Sequence, residues 1–201
     1  GETEAGLEAL DRALELDPKD PGGLAYYYRG LTYDDLKQFP RALADYSMAL
    51  KINPGYANAA YNRGLLFARH REYRKALSDF THYLSLKSND PDAYYNRGTA
   101  FFQLGEYQAA LKDFNALIKL APRDKNGYLQ RGMVHRKLKH FEQAIDDLTD
   151  AIQLNPKSAD AYFQRGESYF DHGEFDRAYS DYLFALRFKP NSGQVYYALA
   201  R

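Results

Sequence analysis

Residues 57–90, ANAAYNRGLLFARHREYRKALSDFTHYLSLKSND, decide the fold. In the first half Ala60, Gly64 and Phe67 recur at spacings of four and three. Ala76, Phe80, Tyr83 and Leu84 do the same in the second half, which is the apolar period of two amphipathic helices. The segment then returns along the chain. Arg-Gly stands at 29–30, 63–64, 97–98, 131–132 and 165–166, always one 34-residue step on. Ala42, Ala76, Ala110, Ala144 and Ala178 keep the same step, as do Phe39, Tyr73, Tyr107, Phe141 and Phe175. Self-similarity at such a period is the mark of a stacked repeat architecture.

Helix limits follow from the register: 23–36 and 39–52 for the first full unit, then every 34 residues. Asn53-Pro54-Gly55 and Asn155-Pro156 end second helices, because proline offers no backbone donor. Before the third unit the proline has moved to Pro91 behind Asp90, which suits an N-cap with proline at the first helical position.

A 34-residue helix-turn-helix with a large residue, glycine, an aromatic three positions on, alanine and a closing proline resembles the tetratricopeptide repeat (TPR) family. The resemblance covers nearly the whole chain. Two features depart from it: arginine precedes every glycine where the family usually has leucine, and Tyr26, Ala60, Tyr94, Tyr128 or Tyr162 stands where the family has tryptophan. The expected fold is all-α, a right-handed superhelical solenoid of antiparallel helix pairs. The organisation is a single solenoid over 1–201. Residues 1–18 supply the second helix of a preceding repeat, 23–56, 57–90, 91–124, 125–158 and 159–192 five full repeats, and 193–201 the start of a further helix. Half a unit, five units and a stub are the pattern expected of a piece of a longer array.

Stacking explains much of an aromatic content of Tyr 19 and Phe 12 with no Trp. Rings four before each glycine, three after it and on the second helix, Phe39 to Phe175 included, are expected in the core, with glycine and alanine letting helices approach. The repeated arginine has a counterpart in Asp45, Asp79, Asp113, Asp147 and Asp181. An ion pair between the two helices, beside the core, is the expected arrangement, because an unpaired charge there would be costly.

Opposite the core, the first helices carry a second stripe, which in the TPR family lines a concave face. The residues expected to contact a partner there are Tyr27, Tyr61, Asn62, Leu65, Arg69, Tyr95, Asn96, Phe102, Gln130, Met133, Arg136, Phe163 and Gln164. Asn62, Asn96, Gln130 and Gln164 form an amide row able to bond an extended peptide, with rings supplying apolar contact. The row is similar to the asparagine ladder of the TPR superhelix in O-linked N-acetylglucosamine transferase. The tyrosine positions also admit a packing role between repeats. The lysine and arginine clamp that some TPR proteins use for heat-shock protein tails is largely missing, since Tyr27, Tyr61 and Tyr95 stand at its lysine positions. Arg69, Arg136 and Lys137 remain as expected contacts for isolated acidic side chains.

Charge and composition exclude several classes. Lys+Arg 27 balances Asp+Glu 27, so no net field favours nucleic acid. A mean hydropathy of −0.66 leaves no apolar run of membrane-spanning length. With Cys 0 there is no thiolate metal site and no cysteine nucleophile. The histidines, His70, His82, His135, His140 and His172, fall at different places in the repeat without a paired metal spacing, and no phosphate loop or GxSxG elbow occurs. His135 replaces a core aromatic and reads as a packed histidine. The expectation is therefore a non-enzymatic protein-interaction scaffold, with no cofactor and no metal. Its partner is a peptide or helix of another protein, and the cytoplasm is the favoured compartment. The alternatives are the targeting or substrate-recruiting arm of a larger enzyme, or a self-assembling module. Assembly would use apolar end faces at Leu7, Leu10 and Leu14 and at Tyr196, Tyr197 and Leu199.

Overall fold

The computed structural model describes residues 2–201. Among the described residues are twelve α-helices and no strand. They are α1 Glu2–Leu16, α2 Leu24–Asp35, α3 Phe39–Ile52, α4 Ala57–Arg69, α5 Tyr73–Leu86, α6 Pro91–Gln103, α7 Tyr107–Leu120, α8 Lys125–Lys137, α9 Phe141–Leu154, α10 Ala159–His172, α11 Phe175–Phe188 and α12 Gly193–Leu199. The expected spans agree with these within a residue or two at each end. As the displaced proline implied, Asp90 Oδ1 accepts from the amides of Asp92 and Ala93, capping α6.

The chain divides into two compact units, Gly1–Ala100 and Phe101–Arg201. In the first, α1 packs on α2, α2 on α3, α3 on α4 and α4 on α5. Tyr83 and Leu84 of α5 share a cluster with Ala93 at the start of α6. In the second unit α7 packs on α8, α8 on α9, α9 on α10, α10 on α11 and α11 on α12.

The turn inside each repeat is one motif used five times. After the first helix the chain enters the left-handed region at Lys37, Arg71, Gly105, Lys139 and Gly173, with φ of 57°, 60°, 76°, 61° and 88°. In the first repeat the Lys37 amide bonds to Asp34 O at 2.9 Å and the Gln38 amide to Tyr33 O at 2.8 Å. These two bonds cover carbonyls that the helix end would leave bare. Glycine takes this conformation freely, whereas the three longer residues carry strain there.

Small residues set the helix spacing. A methyl group added at Gly30 would lie 2.9 Å from the Tyr46 ring, at Gly64 2.9 Å from Phe80, at Gly132 2.7 Å from Leu148 and at Gly166 2.7 Å from Tyr182. Each glycine is thus the socket for a large, buried side chain of the facing second helix. The aromatic that opens each second helix is less buried than expected. Phe39, Tyr73, Tyr107 and Phe141 are half-buried, and Phe175 is 61% exposed. Tyr26, Tyr94, Tyr128 and Tyr162 are half-buried as well. Each lies against the guanidinium of the repeated arginine, with 5.5–5.7 Å from Cζ to the ring centre.

That arginine forms the ion pair its spacing suggested. Arg29, Arg63, Arg131 and Arg165 each hold both oxygens of Asp45, Asp79, Asp147 and Asp181 through Nε and Nη2, at 2.6–2.8 Å. The four carboxylates are buried, and Asp45 is the main cause of an upward shift of the Arg29 guanidinium. A further bond ties the pair to the preceding repeat. Nη1 reaches Ser47 Oγ from Arg63, Thr81 Oγ1 from Arg97, Asn115 Oδ1 from Arg131 and Thr149 Oγ1 from Arg165, at 2.8–3.4 Å. The arginine therefore bolts three helices together, and its bidentate geometry excludes lysine as an equivalent.

Candidate functional site

In the 1–100 unit, successive first helices meet through tyrosine and asparagine. Tyr27 on α2 is 9% exposed, with its ring 4.7 Å from Tyr56 and 6.1 Å from Tyr46. Its hydroxyl accepts from Asn62 Nδ2 on α4 at 3.1 Å. The next pair repeats the contact: Asn96 Nδ2 on α6 donates to Tyr61 Oη at 2.9 Å, and also to Asp92 O at 2.9 Å. The Tyr61 ring packs on Tyr83 at 4.9 Å and on Phe80 at 5.9 Å. Burial raises the hydroxyl pKa of both Tyr27 and Tyr61, so each keeps its proton at neutral pH.

Two expectations change here. The Tyr27 ring is packed rather than an open contact, since Tyr28, Tyr46 and Tyr56 lie against it. One amide donor of Asn62 is taken by the Tyr27 hydroxyl, and both donors of Asn96 are taken, by the Tyr61 hydroxyl and Asp92 O; each amide keeps its carbonyl oxygen. Leu65, Tyr95 and Asn96 are half-buried. Leu24 and Tyr28 on α2 expose about half their surface beside this row.

Arg69 corrects a third expectation. Its Nη2 contacts both oxygens of Asp34 at 2.5 Å, and its Cζ lies 5.4 Å from the Phe39 ring centre. It is spent on joining α4 to α2 rather than kept for a partner's acid.

In the 101–201 unit the corresponding residues serve an ion network. Arg136 Nε donates to Asp171 Oδ2 at 2.7 Å, Nη2 to Glu167 Oε2 at 2.9 Å and Nη1 to Gln164 Oε1 at 3.4 Å. Arg136 is therefore also committed internally. Glu167, buried on α10, further accepts from Tyr182 Oη at 2.7 Å and pairs with Arg201. Phe163 packs on Tyr182 with ring centres 6.0 Å apart. Phe102 meets Tyr107 edge-on at 5.6 Å, and Gln130 and Met133 are half-buried. Gln164 has no tyrosine hydroxyl at the place that Tyr27 holds for Asn62, since Leu129 stands 35 residues before it. A cleft of about 520 Å3 between α10 and α12 is lined by Phe163, Gln164, Glu167, Gly193, Gln194, Tyr197, Ala198 and Arg201.

At the chain's two ends, Leu14 is buried and Leu7, Leu10 and Leu199 are half-buried, so of the proposed end faces only Tyr196 and Tyr197 are open. His135 is packed as expected, with 15% of its side chain exposed.

Sequence reading missed Glu167 as a hub, and Asp34 and Asp171 as internal partners of Arg69 and Arg136. A signal existed. Ser47, Thr81, Asn115 and Thr149 form a polar row at the 34-residue step, and it marks the third bond of the arginine.

No helix among the described residues is long and apolar enough to cross a membrane, and no group of three or more metal-ligating side chains occurs among them. Among curated proteins none matches the chain. Solved structures do. The TPR protein YrrB, described as having an unusual peptide-binding site, superposes with a TM-score of 0.85 at 22% identity, covering 97% of this chain and 100% of that one. MamA from Desulfovibrio magneticus RS-1 gives 0.80 at 18%, covering 86% and 97%. The Cut9-Hcn1 hetero-tetramer of the APC/C gives 0.73 at 18%, covering 100% of this chain and 39% of that one. Family models described as tetratricopeptide repeat match residues 1–57, 31–94 and 91–124, and one described as TPR repeat matches 134–173. The all-α stack of helix pairs and these matches carry the same conclusion: the chain belongs to the tetratricopeptide repeat family.

Proposed function

We propose that this chain is a protein-interaction scaffold whose first-helix row in the 1–100 unit binds an extended segment of a partner protein. The observation that carries the reading is the pairing of Tyr27 with Asn62 and of Tyr61 with Asn96. After that bond each tyrosine hydroxyl retains one O–H donor and each asparagine one carbonyl acceptor. A peptide backbone offers the complementary acceptor and donor, so each pair matches one amide of an extended chain. Leu24, Tyr28 and Leu65 supply apolar contact beside the pairs. Family membership, and a peptide-binding site in the structurally similar YrrB, support a protein partner. Arg69 and Arg136 are left out of this site because their charges are satisfied internally, which argues against a carboxylate-led mode of recognition.

The test is to select peptides from a displayed library on the whole chain and measure the affinity of the best one by calorimetry. The Asn62→Ala/Asn96→Ala variant is expected to bind at least tenfold more weakly, a loss of about 1.4 kcal/mol. A Tyr179→Ser/Leu183→Ser variant on the exposed face of α11 is expected to bind as the parent does. Equal affinity in the asparagine variant, or loss only in the α11 variant, would overturn the reading.

A further inference from the structure

The turn between the two helices of a repeat brings two side chains together. One stands three residues after the glycine, and the other follows the left-handed residue. In four repeats these are Tyr33 with Gln38, Phe67 with Glu72, Phe101 with Glu106 and Tyr169 with Glu174. In three of them a basic residue completes the group: Arg41 over Tyr33, Lys75 over Phe67 and Arg177 over Tyr169. Gln38, Glu72 and Glu174 bond to those same cations. The fourth repeat changes all three positions at once. It has His135, His140 and, in place of the cation, Gln143.

We propose that His135 and His140 form a two-histidine site for a divalent late transition metal, with zinc as the reference ion. The backbone preorganises it, because the His140 amide bonds to His135 O at 2.9 Å within the repeated turn. That bond sets the rings with Nδ1 facing Nδ1 at 3.4 Å. Two imidazole nitrogens, each 2.0–2.1 Å from one tetrahedral zinc, stand about 3.3–3.4 Å apart. With both Nδ1 atoms ligating, each ring carries its proton on Nε2. His135 Nε2 lies 3.8 Å from Asp147 Oδ2, so a carboxylate stands beside that ring edge, beyond hydrogen-bond length. Burial holds His135 toward the neutral form that a metal requires. Arg131, the nearest fixed positive charge, is held by both oxygens of Asp147. His140 is exposed, so water completes the coordination, and imidazole ligands select zinc, nickel and copper over calcium or magnesium.

The experiment is calorimetric titration of tag-free protein with zinc chloride and, separately, nickel chloride. His135→Phe restores the ring type of the neighbouring repeats, and His140→Gln restores the residue found at 38. Both variants are checked for folding by melting in the presence of a chelator. Wild type is expected to bind one ion. Each variant is expected to lose at least tenfold in affinity while melting as a folded protein. A His70→Gln/His82→Gln/His172→Gln variant is expected to bind as wild type does. The proposal fails if wild type gives no binding heat at millimolar metal, if His135→Phe binds equally well, or if the three-histidine variant alone loses the ion.

Discussion

Tyr46 and Tyr182 stand at the same place in the first and fifth repeats, and the two differ in what their hydroxyls meet. Both rings fill the socket left by a glycine, Gly30 for one and Gly166 for the other. Tyr182 donates to Glu167 Oε1 at 2.7 Å, whereas Tyr46 Oη is buried with no partner. The cause is one position: the residue after the glycine is Glu167 in the fifth repeat and Leu31 in the first. The repeat register thus determines where a ring packs, and local substitutions decide its polar surroundings. The same division separates the first-helix rows. Tyr27 and Tyr61 couple to asparagines in the 1–100 unit, while Arg136 and Glu167 in the 101–201 unit form an ion network.

The largest effect is expected where the repeats are alike. Asp79→Leu and Asp147→Leu each leave a largely buried arginine without its carboxylate and should cost about 3–5 kcal/mol in chemical denaturation. Adding Arg63→Leu to Asp79→Leu should recover a large part of that loss. Strict additivity would show that the pair is not a pair.

The tyrosine comparison comes next. Tyr182→Phe should cost about 1–2 kcal/mol by removing a donor to a buried carboxylate. Tyr46→Phe should be neutral or mildly stabilising, since it deletes an unsatisfied hydroxyl. Equal effects from the two would break the comparison. Tyr61→Phe, which removes only the hydroxyl that Asn96 bonds, should cost about 0.5–1.5 kcal/mol by the same measurement.

Turn chemistry provides a smaller contrast between the same two repeats. Lys37→Gly should gain up to about 1 kcal/mol, and Gly173→Ala should lose a similar amount, because both positions hold a positive φ. Thermal melts of the two variants, read in opposite directions, check this.

The smallest effect is one of pH. Burial lowers the His135 pKa despite Asp147 nearby. The unfolded chain therefore takes up this proton first as pH falls through about 6.5, and the native state loses stability below that point. In chelator, the midpoint should decline from pH 7 to pH 5 less steeply for His135→Phe than for the parent.

The fold was readable because the repeated residues do the packing. Arg-Gly and the alanine column announce close helix contact at fixed intervals, and the arginine-aspartate spacing anticipated pairs that form at 2.6–2.8 Å. The candidate site was readable only in part. Helical geometry placed Asn62 and Asn96 on the face away from the core, but it does not say which neighbour consumes a donor. That depends on tyrosine hydroxyls one repeat away, a contact between chain positions 35 residues apart. The internal partners of Arg69 and Arg136 were hidden for the same reason. Asp34 and Asp171 lie on neighbouring first helices, and a long guanidinium reaches them across the stack.

The Tyr–Asn row as a peptide contact is the central claim. The measurement that tests it is 15N chemical-shift mapping of the side-chain amides, with a library-selected peptide titrated into the labelled chain. The prediction is that the Asn62 and Asn96 side-chain resonances move together with a single saturation curve while the backbone of α11 stays fixed. Saturable shifts confined to α11 or to the α10–α12 cleft, with Asn62 and Asn96 unmoved, would contradict it.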